Sequence, residues 1–119
     1  MTGPLLYRIR LIDGDQPYKG RVEILIDDVW GTICDERWDL RDARVVCRQL
    51  GYPYAAAAPG GAHFGEGTGD VLLGRVDCSG HEGHLLECAR AGIGATGCQH
   101  DRDAGVVCSP DPTVEPAGG

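Results

Sequence analysis

The chain has 119 residues, a formal charge of −7 and 42% hydrophobic residues, which is one domain's worth of sequence with room for a modest core. Its basic residues are arginines apart from Lys19, and the acidic balance argues against a nucleic-acid partner, because neutralising phosphates needs a basic surface. No apolar run approaches the ~20 residues that span a bilayer, and the lack of any asparagine excludes N-glycosylation.

In chain order, Leu6–Ile12 alternates arginine with apolar residues and predicts a half-buried strand, with Arg8 and Arg10 on one face. Asp13–Gly20 is a turn-rich break. Arg21–Ile26 alternates again, and Asp27–Asp28 reverses the chain tightly into Val29–Cys34, which predicts a β-hairpin. Asp39 is a helix N-cap, and Leu40, Ala43, Val46 or Cys47, and Leu50 share one face of a helix over Leu40–Leu50. Gly51 ends that helix and Pro53 stands just beyond it. Tyr54–Gly69, rich in alanine and glycine, has no strong period and reads as a long surface loop. Val71–Cys78 predicts a strand interrupted by Gly74, Leu85–Cys88 a short helical turn, and Ala104–Cys108 a closing strand. Ser109–Gly119 carries three prolines and no core pattern, so it reads as a tail or linker.

Six cysteines, Cys34, Cys47, Cys78, Cys88, Cys98 and Cys108, contain no Cys-x-x-Cys pair. An even number without metal-type spacing reads as a disulfide framework made in an oxidising compartment. Spacing alone does not choose the pairing. Met1–Pro4 shows no charged segment leading into an apolar one. An initiator methionine on such a sequence is therefore read as the start of a piece cut from a longer secreted or membrane-anchored parent protein.

The residues that carry chemistry elsewhere are sparse. His81 and His84 stand three apart, a spacing that puts two ligands on one helical face, but zinc needs further partners and the cysteines are better spent on disulfides. The same argument leaves no free thiol for a cysteine nucleophile to pair with His63 or His100. Ser79 and Ser109 flank cysteines with no base motif beside them. Gly65–Gly69 neither follows a buried strand nor opens a helix, so it does not read as a phosphate loop. These observations point away from an enzyme. Arg41, Arg44 and Arg48 follow i, i+3, i+7 spacing and form a stripe on the helix. The stripe is read either as a solvated face or as a local anion site on an acidic protein. Trp30 and Trp38 are assigned to the core. Tyr52, Tyr54 and Phe64 are assigned to the rim of a partner-binding surface.

Taken together, GRVEILI, VWGTICDERWDLRDARVVCRQLGY, FGEGTGDVLL, CSGHEGHLLEC and CQHDRDAGVVC resemble the scavenger receptor cysteine-rich domain, from about Tyr7 to Cys108. With six cysteines the chain is similar to the family's group A, and Tyr52 stands where eight-cysteine members have a cysteine. The resemblance implies an α+β fold, a curved antiparallel sheet cradling one main helix, over about residues 5–109, with 110–119 as tail. It also implies the bonds Cys34–Cys98, Cys47–Cys108 and Cys78–Cys88. A loop as long as Cys34 to Cys98 would add roughly 4 kcal/mol in the chain-entropy model.

The family often binds calcium through a Cys-Asp-Asp segment and an acidic residue of a late segment. Here Asp35 and Glu36 match the first segment, while Arg102 takes the place of the late glutamate, with Asp101 or Asp103 as substitutes. Two expectations follow: a calcium site of Asp35, Glu36, Asp101 and Asp103, or an ion pair of Arg102 with Asp35 or Glu36. A second family cation site is not expected, since Gly74, Arg75 and Gly97 depart from its pattern. The resemblance further implies an extracellular, non-catalytic recognition module, secreted or part of a membrane protein, for polyanionic, microbial-surface or protein ligands. The alternative is an accessory domain that positions the rest of a larger secreted enzyme or matrix protein.

Overall fold

The computed structural model describes residues 8–110; Leu6 and Tyr7 of the first expected strand, and Asp111–Gly119 of the expected tail, lie outside them. The first strand, β1 (Arg8–Ile12), lies antiparallel to β2 (Lys19–Ile26) with Arg10 opposite Glu23. β2 turns into β3 (Val29–Ile33) through Asp27 and Asp28, both at positive φ (51° and 65°). That is a two-residue turn whose twist matches the strands, and aspartate tolerates the left-handed region it requires. Period-two alternation then sends Val22, Ile24 and Ile26 into the core and Arg21 and Glu23 to the opposite face.

The single helix, α1 (Leu40–Gln49), begins at a reciprocal cap. Asp39 accepts the amides of Arg41 and Asp42, and the Asp42 carboxylate accepts the Asp39 amide at 2.7 Å. It ends at Leu50, with Gly51 at φ 98° and the amide of Tyr52 reaching back to Cys47 O at 2.8 Å, a Schellman closure. Ala43, Val45, Val46 and Cys47 face the core. The expected flanking contacts, Leu40 and Leu50, are only half-buried against it.

Two further expectations need correction. The supposed loop Tyr54–Gly69 opens with a strand, β4 (Tyr54–Ala57), paired antiparallel to the last strand, β6 (Gly105–Ser109). Alanines give no alternation to read, yet Ala55 is fully buried opposite Cys108, where a small side chain admits α1 close above. The strand expected over Val71–Cys78 is β5 (Asp70–Leu73), and it runs parallel to β3. It stops because Arg75, at φ 52°, turns the chain away after Gly74. Ser109 belongs to β6 and is buried, so the closing strand runs one residue further than expected.

The sheet order is β4-β6-β2-β3-β5, with β1 attached to β2. This curled sheet, antiparallel except for β3–β5, cradles α1. The disulfides Cys34–Cys98, Cys47–Cys108 and Cys78–Cys88 close it. Cys47–Cys108 ties α1 to β6, and Cys34–Cys98 ties the end of β3 to the late loop. Trp38 is buried, and its indole N–H donates to Gly105 O at 2.8 Å, fixing the approach to α1 against β6.

Candidate functional site

The residues expected to hold calcium come together only in part. The chain after β3 and the short 3-10 turn His100–Arg102 run side by side, joined by the Asp35 amide on Arg102 O at 2.8 Å and a bridge between Cys34 and Asp103. Across this junction Arg102 Nε donates to Asp35 Oδ1 at 2.9 Å, and the Gly61 amide donates to Asp35 Oδ2 at 2.7 Å. Gly60 is needed for that approach, since a Cβ there would lie 2.6 Å from Asp35 Oδ2.

Asp103 faces another way. It is 1% exposed, accepts the Gly67 amide at 2.7 Å, and meets His100 Nδ1 at 2.9 Å. The other imidazole nitrogen lies 2.9 Å from Gly69 O. Burial pulls the His100 pKa down, but the Gly69 carbonyl and the Asp103 carboxylate outweigh it, and the net shift is upward. Two acceptors, one on each ring nitrogen, suit an imidazolium. Asp101 is exposed, and Glu36 lies beside the Cys34–Cys98 sulfurs.

Calcium needs six to eight oxygens converging on one point. Both Asp35 oxygens are engaged by N–H donors, one of them cationic, and Asp103 is spent on His100 and Gly67. Among the described residues, no three of Asp35, Glu36, Asp101 and Asp103 offer ligand atoms within reach of one ion. The residues present do not fit that group. The sets that do cluster, Cys34–Glu36–Cys98 and Cys78–Glu82–Cys88, contain disulfide sulfurs, which are not thiolate ligands.

The arginine stripe is largely tied down. Arg41 reaches Asp39 Oδ2 at 3.0 Å and Asp77 Oδ1 at 3.8 Å, while 53% of its side chain remains exposed. Arg48, also exposed, donates to Gly80 O at 2.8 Å and Glu82 O at 2.7 Å. Arg44 is half-buried between them. The loop that Arg48 grips is folded around Glu82, whose carboxylate accepts the amides of Ser79 and Gly80 and the Ser79 hydroxyl. The Ser79 amide leads in holding its pKa down to about 2. His81 and His84 flank this turn and are exposed.

A charged ladder on the outer sheet face escaped the sequence reading. Asp13, Arg21, Glu23 and Arg10 connect in series at 2.8, 3.1 and 2.7 Å, and the Arg10 guanidinium stacks 3.9 Å from the Trp30 ring centre. Trp30 is thus half-buried on this face rather than in the core. The signal was present as facing charges in β1 and β2, but it needed the register to be read. Tyr52 packs against the core, and Phe64 lies over Gly105, so neither is a free rim residue.

The family profile described as the scavenger receptor cysteine-rich domain matches residues 12–109. The crystal structure of the third such domain of murine neurotrypsin superposes with a TM-score of 0.79 at 46% identity, covering 86% of this chain and 95% of that one. The dimeric form of the corresponding domain of mouse MARCO superposes with a TM-score of 0.72 at 41% identity, covering 90% of this chain and 100% of that one. Domains of this kind are extracellular and typically non-catalytic. The chain belongs to the scavenger receptor cysteine-rich domain family, and its three disulfides fit the group A type.

Proposed function

We propose that this domain is a non-catalytic recognition module, secreted or displayed on a membrane protein, that binds polyanionic, microbial-surface or protein ligands. The observation that carries this reading is the pair Arg41 and Arg48. Both are exposed on α1, and their guanidinium groups are held in fixed positions by Asp39 and by the carbonyls of the 80–82 loop. A fixed planar fork loses little freedom on meeting a sulfate, phosphate or carboxylate. Half the Arg41 side chain is left open for that contact. Among the described residues, no helix is long and apolar enough to cross a membrane.

The test is direct binding of the oxidised domain to immobilised heparin, dextran sulfate and killed bacteria, against a reduced and alkylated control. Binding by the oxidised form alone supports the reading, and no binding to any of the surfaces sinks it. The second reading is an accessory domain that positions other parts of a larger protein. It is favoured by the similarity to a domain described as the third of its kind in murine neurotrypsin. Binding by the full-length parent that survives deletion of this domain would favour that alternative.

A further inference from the structure

Two strands of chain rich in carboxylates, Asp35–Glu36 and Asp101–Asp103, lie side by side at the end of β3. Like charges brought together at a fold junction need a counter-cation or they push the segments apart. The junction contains a permanent cation of its own, Arg102, and a histidine, His100, paired with an acid. Arg102 sits on Asp35 at 2.9 Å, and His100 sits on the buried Asp103 at 2.9 Å. The Asp35 carboxylate is a hub for three segments: its oxygens take Arg102 Nε and the Gly61 amide, and its own amide returns to Arg102 O. With 17% of the Asp35 side chain exposed, this contact is better shielded than an ordinary surface pair.

We propose that Arg102 serves as the built-in cation of this junction, so that the domain folds and holds its loops without a divalent metal. A guanidinium carried on the chain cannot be removed by chelation, and its positive charge, 2.9 Å from Asp35 Oδ1, opposes a second cation on that oxygen. The other Asp35 oxygen is already covered by the Gly61 amide. The inference rests on the junction alone and holds whatever the domain binds.

The experiment is thermal unfolding of the oxidised domain in millimolar calcium chloride, in magnesium chloride and in EDTA, with a calcium titration by calorimetry. The expected result is one melting temperature in all three buffers and no binding heat. A calcium-dependent rise in melting temperature that Asp35→Asn abolishes would overturn the proposal. Arg102→Gln, Asp35→Asn and the double variant provide the second readout. Each single change should lower the melting temperature by about 2–4 °C, as expected for a half-exposed pair. The double variant should fall no further than the worse single one. Additive losses would show that the two residues do not act as a pair and would also overturn it. Because these readouts concern folding, they succeed or fail independently of any ligand.

Discussion

The indole N–H of Trp38 donates to the carbonyl of Gly105 at 2.8 Å, joining the residue just before the α1 cap to the first residue of β6. These positions are separated by 67 in sequence, and both are buried. The contact therefore fixes the start of the helix against the sheet, while the Cys47–Cys108 bond fixes its last turn. Trp38→Phe strips the Gly105 carbonyl of this donor inside the protein, and the expected loss is about 1–3 kcal/mol. Urea unfolding of the oxidised variant measures it. A midpoint equal to that of the parent would show that water replaces the indole without cost.

The buried Asp42 carboxylate links the helix cap to the small disulfide loop. One oxygen accepts the Cys78 amide at 2.8 Å and the other the Asp39 amide at 2.7 Å. Burial pushes its pKa up to about 7, against the pull of those two amides. A carboxylate whose folded pKa lies above its unfolded one binds protons more tightly in the fold. Its contribution is thus fully present below pH ~4 and is lost as pH rises through about 7. Asp39 works in the opposite sense. Burial raises its pKa, but its Arg41 and amide contacts bring the net value down, so its contribution fades in acid. Asp42→Asn should flatten the loss of stability between pH 4 and 7. It should also cost about 1–3 kcal/mol, because an amide cannot accept from both N–H groups. Urea midpoints across that pH range check both effects, and an unchanged slope would assign the titration to other groups.

The disulfides are unequal in what they constrain. Cys47–Cys108 closes a separation of 61 residues and Cys78–Cys88 one of 10. In the chain-entropy model their removal costs about 4 and about 3 kcal/mol respectively. Paired Cys→Ala variants should therefore show the larger drop in urea midpoint for the Cys47–Cys108 pair. The reverse order would mean that native contacts, rather than freedom of the unfolded chain, set the contribution of each bond.

The outer-face ladder makes a further prediction. Glu23 is buried between Arg21 and Arg10, with 8% of its side chain exposed. Glu23→Gln leaves two arginines facing each other without their shared anion, and Arg21 is itself buried. The expected loss is about 3–5 kcal/mol, the range for removing one partner of a buried pair. Equilibrium unfolding at low and high salt checks it. A loss below about 1 kcal/mol would show that Asp13 alone neutralises Arg21.

Local signals were legible where backbone chemistry is written into residue type. Asp27–Asp28 marks its turn because aspartate accepts positive φ. Asp39 and Gly51 mark the helix because one caps and the other closes it. What the sequence could not reveal depended on partners distant in the chain. Tyr54–Ala57 is a strand only because β6 lies beside it, and four small residues carry no alternation. The parallel pairing of β5 with β3 has no local mark. Cysteine spacing alone left the pairing open, whereas the family resemblance named the three pairs found in the structure. The acidic residues looked like one ligand set, yet the fold separates them: Asp35 turns to Arg102 and Asp103 turns inward to His100. The arginine stripe was visible as spacing, but the grip of Arg48 on the 80–82 loop was not.

The most direct test of the recognition surface is the salt concentration at which the oxidised domain leaves a heparin column, compared between the parent and Arg41→Ala/Arg48→Ala, with thermal melting to confirm that both are folded. The account predicts that the parent is retained and that the folded variant elutes at clearly lower salt. Identical elution of the two folded proteins would contradict it.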